Sequence, residues 1–92
     1  MAMEIESKFA GRRKAFLAQR YPQVYAEMEK TGELKEHLAE TGRQAKAVMD
    51  RTIAHYQPQI EAIQDKEARE VREGQVWLMA QEIALQEIVL TP

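Results

Sequence analysis

Hydrophobic residues recur along this 92-residue chain at the spacing of α-helices, and its few proline and glycine residues mostly fall between the helical stretches. A first helix is predicted over residues 4–20, because Tyr21 precedes a proline and a residue in that position disfavours helical backbone. A short second helix should occupy residues 22–30, with proline in its first turn. Gly32 is placed to cap that helix in the left-handed conformation.

Two longer helices should follow. The third is predicted over residues 33–56, and we expect it to continue through Gly42 because its apolar stripe keeps the same phase on both sides. The fourth should begin at Gln57-Pro58 and extend to Leu90, with Gly74 as a position where it can bend. The stripe of the third helix, which we expect to face the core, comprises Leu34, Leu38, Thr41, Ala45, Val48, Met49, Thr52 and Tyr56. The pattern predicts an all-α fold, a small bundle of three to four helices whose last two are long, in a single domain of residues 1–92.

Residues 76–90 carry apolar side chains on two sides of the predicted helix, which is typical of a helix buried between elements or shared with another chain. One side holds Trp77, Leu78, Leu85, Ile88 and Val89, and the other holds Val76, Met79, Ala80, Ile83 and Leu90. We expect the second set to form a protein interface, most simply in a homodimer, since two-fold dimers are the commonest oligomers. The alternative is that this helix passes through the middle of the monomer.

Composition and charge narrow the classes of function. The chain has a net charge of −2 and no cysteine, which excludes disulfides and thiolate metal sites. No apolar run approaches the ~20 residues of a membrane span, and the start lacks a signal-peptide pattern. We therefore expect a cytoplasmic protein without a membrane partner.

Local positive charge is concentrated in the first helix, and its candidate nucleic-acid-binding residues are Lys8, Arg12, Arg13, Lys14 and Arg20. On the helical wheel Phe9 and Phe16 form one stripe, and Arg12, Arg13 and Arg20 lie within roughly 50° of it, so a basic and aromatic face could hold phosphates. The alternative is that both rings belong to the core while the arginine stems frame them and their charged ends reach water. A helix-turn-helix centred on Gly32 is disfavoured, because the acidic residues at the start of its recognition helix would repel phosphate.

The sequence offers no catalytic, metal-binding or cofactor-binding site. His37 and His55 are eighteen residues apart, about 27 Å along one helix, and cannot share an ion. The acidic residues around His37 are best interpreted as a solvated face. Ser7 is the only serine, and no glycine-rich phosphate loop is present. We expect no catalysis, no cofactor and no small-molecule substrate.

Two segments together resemble the transposon-encoded TnpV family over about two-thirds of the chain, with residues 57–75 outside the resemblance. In the first segment, from Arg13 to Ala45, the matching features are basic residues before Phe16-Leu17, then Pro22, Tyr25, Gly32-x-Leu34, His37-Leu38-Ala39-Glu40 and Gln44-Ala45. The second segment is the closing run from Ala80 to Leu90.

The resemblance implies a helical product of a bacterial mobile genetic element, with no catalytic residues to carry over. The family has been likened to small DNA-binding accessory proteins of the excisionase kind. Two hypotheses follow. In one, the protein is a non-enzymatic accessory factor that contacts DNA or a recombinase complex through its basic first helix. In the other, it is a protein-binding module or an inhibitor of a host or competing system, such as an anti-defence protein, which acts through helical apolar or acidic surfaces with no nucleic-acid contact.

Overall fold

Local sequence signals set the first two helix boundaries. The computed structural model describes residues 2–92, and side chains from residue 4 onward. Helix α1 spans Ala2–Arg20 and helix α2 spans Pro22–Thr31. Tyr21, before the proline, has φ −136° and ψ 60°, outside the helical region. Gly32 adopts φ 83° and donates its backbone N–H to the Glu29 carbonyl, so the predicted left-handed cap is confirmed.

Helix α3 spans Leu34–Glu61 and is continuous through Gly42, as predicted. The predicted boundary at Gln57-Pro58 is wrong, because Pro58 lies inside α3. A proline removes one hydrogen-bond donor from a helix. The helix still continues for another turn, in which Ile60 is buried at 2% exposure and gains free energy from packing. Helix α4 instead begins at Lys66, where the Asp65 carboxylate caps it by accepting a hydrogen bond from the Ala68 N–H at 2.9 Å.

Helix α4 spans Lys66–Ala84 without a break at Gly74 and passes into a π-helical segment, Leu85–Val89. In that segment the Leu90 N–H donates to the Leu85 carbonyl at 2.8 Å. The i→i+5 bond of a π-turn encloses one more residue than an α-turn, so the following side chains are rotated relative to a regular helix. Both predicted sides of residues 76–90 contribute to the core: Val76 and Ala80 from one side, and Leu85 and Val89 from the other.

Helix α3 is the centre of the fold, with α1 and the α4–π segment packed against it. The molecule is elongated, 54 × 21 × 17 Å. Its core consists of Phe9, Ala45, Val48, Met49, Ala80, Ala84, Leu85 and Val89. The three alanines in this set are fully buried, and small side chains allow helix axes to approach closely. The structure confirms the predicted small all-α bundle with two long final elements, and contains no strand among the described residues.

The predicted core stripe of α3 is confirmed at Leu34, Thr41, Ala45, Val48 and Met49, all of which are buried. Leu38 was expected to be well buried, and this is wrong, because its side chain is only half-buried. It lies in an open groove between α1 and the first turns of α3. Glu29 and Gly32, at the end of α2, also line this groove. Thr52 and Tyr56 are also half-buried.

Candidate nucleic-acid interface

Four of the five predicted nucleic-acid-binding residues lie on the surface of α1, and the fifth lies inside the molecule. Lys8, Arg12, Lys14 and Arg20 are exposed. Arg13 is buried at 6% exposure. Since α-helical residues three or four positions apart share a face, Lys8 and Arg12 lie next to each other, one turn apart. Lys14 lies on a different side of the helix, where it lines the groove between α1 and α3.

Arg13 joins three parts of the fold through its guanidinium group. Its Nε donates a hydrogen bond to Nε2 of His37 on α3, at 3.2 Å. Its Nη1 donates to the carbonyl oxygens of Val89, at 3.0 Å, and of Thr91. The last carbonyls of any helix lack donors from within the helix, and a cation there also interacts favourably with the helix dipole. Arg13 therefore caps the C-terminal end of the π-helical segment.

The environment of Arg13 and His37 shifts both of their pKa values. Burial lowers the pKa of the Arg13 guanidinium from its ordinary value, and the proximity of Tyr21 opposes this effect. Burial also lowers the pKa of the His37 imidazole, and the positive charge of Arg13 lowers it further. Because His37 accepts a hydrogen bond at Nε2, the imidazole is neutral with its proton on Nδ1. His37 thus has a structural partner that its sequence position gave no reason to expect.

The phenylalanine rings of α1 do not form an aromatic surface beside the exposed cations. Phe9 is 1% exposed and belongs to the core. Phe16 is half-buried, with its ring centroid 5.8 Å from that of Tyr21 and 5.6 Å from Cζ of Arg13. The alternative interpretation, in which both rings are packing residues, agrees with these positions.

A different aromatic side chain lies beside the basic face of α1. The Nζ atom of Lys8 is 5.9 Å from the ring centroid of Trp77, which extends from α4 and is 38% exposed. Sequence reasoning missed this pair, because Trp77 was assigned only to an apolar side of its own helix. Sixty-nine residues separate the two positions, so only the tertiary packing of α1 and α4 on α3 brings them together.

The predicted protein-interface residues are divided between the interior and the surface. Val76 and Ala80 are 1% and 0% exposed and lie inside the monomer. Met79 and Ile83 are half-buried, and Leu90 is 37% exposed. The most exposed large apolar side chains of α4 are Val71, at 62%, and Leu78, at 64%. These two residues are seven positions apart and therefore share one outward face.

The titratable residues outside α1 form no metal site or buried acid–base pair among the described residues. No group of three or more possible metal ligands lies together in residues 4–92. His55 is exposed and packs edge-on against Tyr56. Glu40 pairs with Arg43 at 2.5 Å, and this contact lowers the pKa of the Glu40 carboxyl. The predicted solvated acidic face is consistent with the exposure of these residues.

None of the helices in the described part of the chain combines the length and the apolar character that crossing a membrane requires. Comparison with protein families finds a match to the model of the transposon-encoded protein TnpV, over residues 4–91. The match includes residues 57–75, which had been outside the resemblance seen in the sequence. Neither a curated protein nor a solved structure matches the chain.

Proposed function

The chain belongs to the transposon-encoded TnpV family, and on this premise we propose that it is a non-enzymatic accessory protein of a bacterial mobile genetic element that contacts DNA through α1. A recombinase complex assembled on that DNA is the natural setting for such a contact. The observation that carries the proposal is the set of four exposed cations on α1: Lys8, Arg12, Lys14 and Arg20.

The distribution of charge along the chain supports a phosphate-binding role for α1. Residues 7–26 contain five of the thirteen basic residues and none of the fifteen acidic ones. The remaining residues therefore carry an excess of negative charge. Repulsion between that acidic part and DNA would orient the molecule so that α1 faces the phosphates. From Lys8 to Arg20, α1 extends about 18 Å, enough to contact several successive phosphates.

The exposed cations of α1 are also available for an outside partner. The ion pairs in the described part of the chain join Arg43 to Glu40 and Lys46 to Asp50, and neither involves α1. Arg13 is excluded from the proposed contact, because its guanidinium is committed to His37 and to the C-terminal carbonyls. The non-enzymatic part of the proposal is supported by the same contact, which gives His37 a structural role.

The test is fluorescence anisotropy of a labelled mixed-sequence duplex, with the dissociation constant measured over a range of salt concentrations. Each phosphate neutralised by a cation contributes about 0.9 to the slope of log K against log salt. Replacing Lys8, Arg12 and Arg20 with glutamine should therefore flatten the slope by about 2 to 3 units.

A matched triple variant controls for total charge. Lys30, Arg51 and Lys66 are exposed and lie outside α1, so glutamine at these positions removes the same charge and should change the slope much less. If the two triple variants flatten the salt slope equally, α1 is rejected as the contact surface. Absence of duplex binding at low salt would reject the DNA-binding proposal.

A protein-binding module is the second candidate, favoured by the outward face of α4 that carries Val71 and Leu78. Exposed apolar side chains on one helix face are typical of interaction surfaces, and a second copy of the chain is the simplest partner. Sedimentation at micromolar concentration should then show a dimer that Leu78→Glu dissociates into folded monomers. Val24→Glu is the control, since Val24 is a similarly exposed residue, at 46%, on α2. A monomeric wild type would reject self-association through α4.

A further inference from the structure

We infer that Trp77, Lys8 and Arg12 form a stacking site for an unpaired nucleotide base, so that the nucleic acid bound at this surface is single-stranded. The inference rests on the proposed DNA contact and specifies its substrate class. It depends on one juxtaposition: an exposed indole from α4 beside the basic face of α1.

Single-stranded DNA is recognised by aromatic rings that stack on bases and by cations that follow the backbone. Trp77 supplies an indole ring on a residue that is 38% exposed. Lys8 lies beside that ring, and Arg12 lies one turn further along the same face of α1. A base on the indole would place its flanking phosphates within reach of these two long, flexible side chains. In a duplex, by contrast, the faces of the bases are covered by their neighbours and cannot reach an indole in this way.

The contact between Lys8 and Trp77 is weak enough for a base to displace the ammonium from the ring. The ammonium is 5.9 Å from the ring centroid, at the outer limit of about 6 Å for a cation–π interaction. Lys8 is itself exposed, so its side chain can turn from the ring to a phosphate without leaving a buried charge. Phe9, one position along α1, packs in the core and holds this part of the helix in place.

Two exposed acidic residues oppose the binding of phosphate at this site: Glu4, one turn before Lys8 on α1, and Glu73 on α4. Glu73 precedes Trp77 by four positions on α4, so the two side chains lie on the same part of the helix surface. The carboxylate is exposed, and it would repel a phosphate bound between α1 and α4. Glu73→Gln should therefore tighten binding at this site by a few fold, whereas Glu67→Gln, at the start of α4, should change it less.

Trp77 is the only tryptophan of the chain, so its fluorescence reports on this site alone. The experiment titrates the full chain at low salt with an oligo-dT of about 12 nucleotides, and separately with a duplex of the same length. We expect oligo-dT to quench the Trp77 emission and to bind more tightly than the duplex. Anisotropy of labelled oligo-dT measures affinity independently of the tryptophan, so that variants at position 77 can be compared.

Trp77→Ala should weaken oligo-dT binding about tenfold or more while changing duplex binding little, and Trp77→Phe should retain part of the affinity. Leu78→Ala is the matched control, because Leu78 is the adjacent and more exposed apolar residue. Thermal unfolding followed by circular dichroism identifies any variant that is destabilised. For such a variant, affinity is measured well below its melting temperature.

The outcomes separate this inference from the proposed function. Duplex binding through α1 that is at least as tight as oligo-dT binding, with unchanged Trp77 emission, would overturn the stacking site and leave the DNA contact intact. Failure of both oligonucleotides to bind would overturn both. Preferential oligo-dT binding that Trp77→Ala does not weaken would also overturn the stacking site.

Discussion

Gly42 on α3 lies directly against the backbone of Glu6 on α1: a Cβ atom added to Gly42 would be 2.6 Å from the Glu6 carbonyl oxygen. Real Cβ atoms do not approach an oxygen so closely, and the obstacle is backbone that cannot turn aside. The absence of a side chain at Gly42 is therefore what sets the distance between α1 and α3. This contact fixes how the basic helix is held on the rest of the fold.

Gly42→Ala should destabilise the protein by about 1–3 kcal/mol, the usual effect of adding a methyl group to a tightly packed contact. Gly74→Ala is the matched control on α4, where nothing lies within 4 Å of the added Cβ. That variant should stabilise the protein by about 0.5–1 kcal/mol, because alanine favours a helix more than glycine does. Urea denaturation measures both. Stabilisation by both substitutions would show that α1 and α3 are not in close contact at Gly42.

Arg13 should be more important for folding than any other cation of α1. Arg13→Met should lower the free energy of unfolding by about 1–3 kcal/mol, because it leaves the Val89 carbonyl and Nε2 of His37 without their donor. Arg12→Met, at the adjacent exposed position, should change stability by less than about 0.5 kcal/mol. Amide hydrogen exchange should also become faster in the π-helical segment of the Arg13 variant. Equal stabilities of the two variants would contradict the capping role.

Leu38 and Met49 provide a test of how the stripe of α3 is divided between groove and core. Met49 is 3% exposed, and Met49→Ala should destabilise by about 2–5 kcal/mol. Leu38 is half-buried in the groove between α1 and α3, so Leu38→Ala should lower the free energy of unfolding by clearly less than Met49→Ala does. Chemical denaturation of the two variants measures both losses. A larger loss at Leu38 would mean that the groove is closed in solution.

Sequence reasoning predicted the features of the fold that depend on neighbouring residues. The boundary at Tyr21-Pro22 and the cap at Gly32 follow from backbone preferences that act within one turn. The end of α3 could not be predicted in this way, because burial of Ile60 outweighs the hydrogen bond that Pro58 removes. The N-cap at Asp65 was a local signal for the start of α4 that sequence analysis overlooked.

Less of the candidate site than of the fold could be predicted from the sequence, because the site depends on tertiary structure. The helical wheel placed Arg12, Arg13 and Arg20 beside the phenylalanine stripe, but it cannot show that Arg13 alone is buried and faces the end of the chain. Its carbonyl partner Val89 is 76 residues away along the sequence. Trp77 and Lys8 are also far apart in the sequence, so a helical wheel could not show that they lie side by side. The wheel also assumed regular α-helix through residue 90, whereas the segment Leu85–Val89 is π-helical.

The hydrogen bond between Arg13 and His37 makes stability depend on pH. The folded protein holds the His37 pKa below its ordinary value of 6.5, through burial first and the charge of Arg13 second. At pH values near and below 6.5, the unfolded state therefore binds more protons than the folded state at this residue. The stability contributed by neutral His37 is fully present above pH 6.5 and is lost as the pH falls through the folded-state pKa.

We expect the free energy of unfolding to decrease as the pH falls from about 6.5 to about 5.5, within the range in which histidine titrates. His37→Gln should remove much of this decrease, since glutamine does not titrate and its amide oxygen can still accept a hydrogen bond from Arg13. His55→Gln is the control, because His55 is exposed and lies far from Arg13 on α3. Urea denaturation at a series of pH values gives the slope for each protein. If the slopes of wild type and His37→Gln coincide while His55→Gln flattens the curve, protonation of His37 is not the event that destabilises the fold.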